Sequence, residues 1–347
     1  MAELTSPAPL PQDIVIQMVI GGWVSKTIAE VTRLDVPDVL KKNGALTAKD
    51  LVEKFGVPAH ADSLHRALRA CASIGLFMEN ADGRYGPTPL SDTLTLDSPV
   101  SLKRLTESFG GTWYRIWTGL GDALKSGQPQ SKAQLGMEFW DFLNANPAEM
   151  EAFGEAMKSN SMRSLNGVLE LYDFSRFESV ADIAGGFGHL AIALLQKYPN
   201  LRAIVMDMPK LMPIAKGHLP NDSSVTSRIE FIGGDMFEDV PSAQVYIMKH
   251  IIHDWDDARC VALLQHCVKR MQGDGRVLCV DAVLPPAGDS GFAPAKFLDL
   301  NMLVSIPGKE RTLAEWKVLY DAAGLKVTNV FPLHDNFGTS IIEGVKK

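Results

Sequence analysis

The chain has 347 residues, 34 Lys plus Arg against 41 Asp plus Glu, a formal net charge of −7 and 46% hydrophobic residues. At roughly 150 residues per domain this length predicts about two domains. The composition excludes disordered, collagenous and disulfide-scaffold classes. The acidic balance is poorly suited to a polyanion, so no nucleic-acid partner is expected. No apolar run reaches the roughly 18 residues of a membrane helix; the best stretch, Ile14–Val24, is broken by Gln17 and two glycines. No basic flank followed by an apolar core marks a signal peptide. Cys71, Cys260, Cys267 and Cys279 show no C-x-x-C spacing, which predicts reduced, partly buried thiols. The expectation is a soluble, cytoplasmic protein without a membrane partner.

From the N-terminus, apolar residues recur at helical spacing, as in Ile28, Val31, Leu34, Val39 and Leu40. Thr47-x-x-Asp50 reads as a capping box opening a helix through Leu51 and Phe55. A helix over Ser63–Leu76 follows, and Asn80-Ala81-Asp82-Gly83 carries the Asp-Gly signal of a hairpin turn. Helices followed by a hairpin outline a winged helix. In this segment Lys49, Lys54, Arg66, Arg69 and Arg84 are balanced by Asp50, Glu53, Asp62, Glu79, Asp82 and Asp92. A DNA reader wants a basic face, so a structural or dimerising role is favoured. The apolar helix holding Ile14, Ile16, Met18, Val19, Ile20 and Trp23 has too little local sequence to bury it, which predicts a homodimer. Three segments are expected: 1–110, winged-helix-like and dimerising; 111–172, a helical connection that lines the substrate pocket; and 173–347, catalytic.

After about residue 175 short apolar runs alternate with amphipathic helices. Val180–Ala184, Ala203–Met206, Ile229–Ile232, Val245–Met248 and Val277–Val280 read as strands, with helices such as Leu190–Lys197 and Arg259–Met271 between them. This alternation implies an α/β fold with a parallel, Rossmann-like sheet that binds ligands at the carboxyl ends of its strands. Gly185, Gly186 and Gly188 sit where the first strand turns into a helix, and Asp207 ends the next strand, placed to accept ribose hydroxyls. The glycine signal alone also fits a nicotinamide dinucleotide. Two acidic sites tip the choice. Asp182 ends the strand before the glycines, where a cationic sulfonium is welcome and a pyrophosphate is not. Asp235-Met236-Phe237 follows the third strand, suited to an adenine. S-adenosylmethionine fits both better. In Lys249-His250-Ile251-Ile252-His253-Asp254-Trp255-Asp256-Asp257, Asp254 or Asp256 can cap the next helix, and His253 can serve as a general base.

The stretches DIAGGFGHLAIALLQKYPNLRAIVMDMP, GGDMFEDVP, IMKHIIHDWDDARCVALLQHC and FLDLNMLVSIPGKERTLAEW span most of residues 180–320. In order and spacing they resemble plant-type small-molecule O-methyltransferases, the family of caffeate, flavonoid and hydroxyindole enzymes with bacterial natural-product tailoring relatives of secondary metabolism. FWDFLNANPAEMEAFGEAMKSNS resembles the family as well. The resemblance implies that Ala184–Gly188 cradle the methionine part of S-adenosylmethionine, Asp207 holds the ribose, and Asp235, Met236 and Phe237 meet the adenosine. It further implies that Lys249 reaches the polar end of the cofactor, Ser161 lines its pocket, and His253 is the base flanked by Asp281 and Glu310. Met157 matches a methionine that holds the acceptor ring, and Trp255, Asn301 and Met302 are expected beside it. Two departures stand out: Ala184 replaces the usual glycine, and Asp281 replaces a glutamate one methylene longer, so its bond to His253 is expected to lengthen or pass to Glu310. The expected reaction is metal-independent methyl transfer to a phenolic hydroxyl of a small aromatic acceptor. The alternatives are an NAD-dependent oxidoreductase on a similar sheet and a winged-helix, ligand-sensing DNA-binding regulator.

Overall fold

The computed structural model describes residues 10–347 except 290, 292, 334 and 336, and of 158–163 the backbone alone. The chain divides into two compact units. One holds the residues up to Arg115 with Asn146–Asn160; the other holds Ile116–Ala145 with Ser161–Lys347. The stretch 111–172 is thus shared between the units.

In the first unit, helices Gly21–Arg33, Val36–Asn43, Ala48–Glu53 and Ala61–Ser73 lead into a hairpin of β1 (Met78–Glu79) and β2 (Tyr85–Gly86). Thr47 opens its helix as the spacing predicts: its hydroxyl accepts from the Asp50 amide and the Asp50 carboxylate accepts from the Thr47 amide. Gly83, at φ +75°, closes the hairpin turn by donating to the Asn80 carbonyl. Val31, Leu40, Leu51, Leu64, Leu68 and Tyr85 form the core of this unit.

Helix Pro11–Val19 buries none of its residues, and it abuts Gly21–Arg33 through Ile20. Counted together, Pro11–Arg33 is long and apolar enough, by length and composition alone, to cross a membrane. This corrects the expectation that no stretch reaches that length; the glycines at 21 and 22 start a second helix here and do not end the first. Met18, Val19 and Trp23 are each more than 70% exposed.

The second unit is built on a mixed sheet. Its strands are β3 (Ser179–Ile183), β4 (Arg202–Asp207), β5 (Ile229–Gly233), β6 (Ala243–Lys249), β7 (Met271–Leu284), β8 (Arg311–Thr312), β9 (Leu325–Pro332) and β10 (Thr339–Lys346). The order is β5-β4-β3-β6-β7-β10-β9, with β8 on the end of β7. Strands β3 to β8 pair in parallel, as alternating strands and helices require, whereas β10 runs antiparallel to both β7 and β9. The all-parallel expectation is corrected there, because the short link from β9 to β10 allows a hairpin and no crossover.

Side chains alternate across the sheet and fill two cores. Val180, Val205, Val245, Ile247 and Val280 pack under helix His189–Lys197. Ala181, Ile183, Tyr246, Met248 and Cys279 pack under helices Asp257–Arg270 and Leu313–Ala322. All four cysteines are free and buried. Strand order reverses between β3 and β6, and the crevice at their carboxyl ends is where such sheets bind ligands.

Thr47→Ala removes the hydroxyl half of the capping box and is expected to cost about 1 kcal/mol of stability, measured as a lower urea midpoint with an unchanged slope.

Candidate functional site

Strand β3 runs into the turn Ala184–Gly188 with backbone that L residues rarely adopt: φ is +54° at Ala184, +59° at Gly186 and +74° at Gly188. Gly188 begins helix His189–Lys197, and a Cβ at Gly186 would meet no atom within 4 Å. The turn therefore offers open backbone beside a helix N-terminus. Asp207, at the end of β4, shapes it from one side: the Gly186 amide donates to its Oδ2 at 2.8 Å and the Met208 amide to its Oδ1 at 2.7 Å. Burial raises the Asp207 carboxyl above its usual range against these two donors.

Asp182, expected to face a cofactor, lies beneath the turn. A Cβ at Gly185 would stand 2.6 Å from its Cγ. Burial pushes its carboxyl up to about 7 against the attraction of Lys249, and its Oδ2 has no hydrogen-bond partner among the described residues. Burial in turn lowers the Lys249 ammonium, against the pull of Asp182 and Asp281.

After β5, the Phe237 amide donates to Asp235 Oδ1 at 2.8 Å, which rounds the Asp235–Phe237 segment. Trp255, expected beside the acceptor, packs edge-on against Phe237 at 4.8 Å, with the Arg259 guanidinium over both rings. The structure thus joins Trp255 to the Asp235–Phe237 segment.

The densest chemistry sits at the ends of β6 and β7. His253 lies in a tight turn, Ile252–Asp254, directly before helix Asp257–Arg270. Asp256 caps that helix through the Arg259 amide, which leaves Asp254 to approach His253 Nε2 at 3.5 Å. On the other side of the ring, Nδ1 meets Glu310 Oε1 at 2.7 Å and Asp281 Oδ1 at 3.8 Å. The short contact belongs to Glu310, and the shorter acid at 281 stands off. Burial disfavours charging the imidazole, but Glu310, Asp281 and Asp254 outweigh it and raise its proton affinity above that of an ordinary histidine. Burial pushes Asp281 up to about 8 and Asp254 up to about 6.

Two residues of the stretch around Glu310 that carry no expected role build this geometry. The Arg311 guanidinium, 1% exposed, donates to the carbonyls of Ile252 and Trp255 and to Asp257, so it ties the His253 turn to the segment that carries Glu310. Gly308 makes the approach sterically possible, since a Cβ there would fall 1.9 Å from the His253 carbonyl oxygen. His250, at φ +56°, places Nδ1 3.8 Å from Asp281 Oδ1, and its ring lies 5.5 Å from that of His253.

Asn301 and Met302 are buried on helix Pro294–Ser305, where Asn301 Oδ1 accepts from Trp117 Nε1 at 2.8 Å. Met157 lies in the first unit, on helix Pro147–Leu171. The Ser161 side chain lies outside the described residues.

Residues 117–326 match the model of an O-methyltransferase domain, and residues 16–97 match that of an O-methyltransferase dimerisation domain. A phenazine O-methyltransferase of Lysobacter antibioticus is 34% identical over 99% of this chain and 99% of its own length. The chain belongs to the O-methyltransferase family. This O-methyltransferase is also similar to a phenazine-1-carboxylate N-methyltransferase of Pseudomonas aeruginosa, 29% identical over 92% of this chain and 93% of that one. Among solved structures, human N-acetylserotonin methyltransferase in complex with SAM superposes with a TM-score of 0.89, at 28% identity over 99% of both chains. Neither the oxidoreductase nor the DNA-binding regulator draws support from these matches.

Ala184 holds the left-handed backbone without the freedom of glycine. A left-handed L residue costs roughly 1–2 kcal/mol, and glycine returns about 0.5–1 of that in unfolded-state entropy. Ala184→Gly in this O-methyltransferase is therefore expected to gain about 0.5–1 kcal/mol, read as a raised denaturation midpoint.

Proposed function

We propose that the protein transfers a methyl group from S-adenosylmethionine to a phenolic hydroxyl of a small aromatic acceptor, with His253 as general base. The observation that carries the reading is the His253 Nδ1–Glu310 contact of 2.7 Å at a strand end of the same sheet that bears the glycine turn. The open backbone at Gly186 and the acidic end of β4 fit the cofactor. Ala184, Gly185, Gly186 and Gly188 would line its methionine part, Asp207 its ribose, and Asp235, Met236 and Phe237 its adenosine. Lys249 and Ser161 would complete its pocket, while Asp182 supports the turn from below. When bound, S-adenosylmethionine supplies a methyl on a positively charged sulfur, open to displacement by an oxygen lone pair.

His253 does the proton work. A phenol of pKa about 10 is a poor nucleophile at neutral pH. Nε2 accepts its proton as the oxygen attacks, while Nδ1–H donates to Glu310 and fixes the tautomer. Raised proton affinity brings the imidazole closer to the phenol, so the proton passes between them at small cost. Glu310 and Asp281 orient the ring and stabilise the imidazolium. Met157, Asn301 and Met302 are assigned to the acceptor, and Trp255 to the boundary between acceptor and adenosine.

We read residues 1–110 as a winged-helix-like dimerising segment, 111–172 as connection and acceptor pocket, and 173–347 as the catalytic part. The exposed apolar face from Ile14 to Trp23 overlaps the dimerisation match at residues 16–97, which supports a homodimer over membrane insertion. Free buried thiols fit a reducing compartment such as the cytoplasm.

A screen of phenolic acceptors with labelled S-adenosylmethionine tests the reading; label carried to none of them, or only to ring nitrogen, overturns the phenol assignment. With a working acceptor, His253→Ala is expected to lower turnover about 100-fold or more at neutral pH while calorimetry finds cofactor affinity unchanged. Near-normal turnover would remove His253 as base.

The catalytic complex sheds one proton before the methyl moves, so turnover should climb as pH rises through the raised imidazole value. Glu310→Gln deletes an acid that raises this value, and the rising limb of kcat against pH should move to lower pH. A limb that stays in place separates Glu310 from the titration.

Charging the exposed face with the Met18→Glu, Trp23→Glu pair is expected to turn a particle of twice 37.9 kDa into one of 37.9 kDa by light scattering. A monomeric wild type at micromolar concentration would rule out the dimer.

A further inference from the structure

Where β6 and β7 end, two imidazoles and two carboxylates face one another with little else to bind. Donor atoms of His250, His253 and Asp281 all lie within 4.8 Å of one another. Asp281 Oδ1 stands 3.8 Å from Nδ1 of each histidine, and Glu310 Oε1 stands 2.7 Å from Nδ1 of His253. Both Asp281 oxygens and Glu310 Oε2 are buried without a hydrogen-bond partner among the described residues. Asp281 is wholly buried and Glu310 nearly so. Buried carboxylate oxygens in folded proteins are almost always satisfied, and each exception calls for a reason such as a catalytic role, a water or an ion.

We propose that His250, His253, Asp281 and Glu310 form a binding site for a divalent transition ion of the zinc class, and that the bound ion switches the methyl transfer off. The donor chemistry selects the ion: imidazole nitrogen with carboxylate oxygen suits zinc and cobalt, whereas calcium and magnesium want oxygen alone. Tetrahedral zinc at roughly 2.0–2.1 Å from its ligands sets them about 3.3 Å apart. Side-chain rotations reach that geometry by closing the 3.8 Å separations about half an ångström, opening the 2.7 Å Glu310 contact by a similar amount and drawing in the widest pair, which lies within 4.8 Å. Two carboxylates balance the two charges of the ion, which outweighs the neighbouring Lys249 ammonium.

Binding uses the same nitrogen that orients the base. When the ion takes Nδ1 of the doubly protonated His253 ring, the proton there leaves to solvent together with any proton on Asp281, and the hydrogen bond to Glu310 is exchanged for a metal–carboxylate bond. The neutral ring then carries its remaining proton on Nε2 and has no lone pair for a phenol proton. Binding stands on the donor cluster alone, while inhibition rests on the base role proposed for His253.

His250 has no part in the proposed proton transfer, and its left-handed backbone is one that asparagine tolerates. The test takes the full-length enzyme stripped with EDTA and titrates it with cobalt(II). Visible bands of tetrahedral cobalt, saturating at one ion per chain and displaced by zinc, are expected. His250→Asn should keep metal-free turnover, weaken cobalt at least tenfold and raise the half-inhibiting zinc concentration by a similar factor. No visible bands and no heat of binding at millimolar zinc would overturn the site. Equal binding by wild type and His250→Asn would overturn it too, placing the ion elsewhere, the free cysteines included. Zinc that binds through His250 without slowing turnover would overturn the inhibition, and with it either His253 as a ligand or His253 as the base, which the His253→Ala turnover decides.

Discussion

Everything proposed for the catalytic centre depends on one buried guanidinium. Arg311 donates to carbonyls of the Ile252–Trp255 turn and to Asp257, and its ring-like fork lies over Trp316. Glu310 is its chain neighbour, so the fork that satisfies the turn also fixes where the Glu310 carboxylate starts. A planar five-donor group can bridge several acceptors at once, which an ammonium cannot reproduce. Gly308 supplies the complementary condition, an absence of side chain where two backbones meet. The 2.7 Å contact to His253 is the product of both.

Electrostatics extends the same logic along the crevice. Asp182, Asp207, Asp281 and Asp254 all have their carboxyls raised chiefly by burial. Desolvated acids grouped around strand ends are costly unless positive charge or donors come to meet them. Lys249 answers part of that demand, and backbone amides answer part at Asp207. A cationic sulfur entering the crevice would answer more of it, which is why acids at these positions favour a sulfonium over a pyrophosphate.

Much of this was legible in the sequence because it is local. Apolar runs located the cores of β3 to β7, and the spacing of Thr47 and Asp50 fixed a helix start. The resemblance put His253, Asp281 and Glu310 in one frame, and the expectation that the bond from the short Asp281 lengthens or passes to Glu310 agrees with distances of 3.8 and 2.7 Å. What stayed hidden is non-local or degenerate. Strand β9 alternates irregularly between buried and exposed positions, so it carries no clean period of two. Asp254 and Asp256 were equal as caps until the tight turn before the helix gave the role to Asp256. Arg311 and Gly308 act through contacts between segments more than 50 positions apart, His250 meets Asp281 across about 30, and periodicity holds no signal for those.

Strand β10 pairs with β7 over six residues, with Ser340 opposite Asp281, yet it follows every other strand in the chain. A nascent polypeptide that has emerged only through β9 leaves one edge of the Asp281-bearing strand unpaired. The sheet of the second unit is complete only with β10 between β7 and β9, and the acid–imidazole cluster gains that wall with it. Until then β7 presents an open, strongly apolar edge of the kind that pairs with other chains. The order of synthesis, and not only the final packing, thus bears on how this enzyme avoids aggregation.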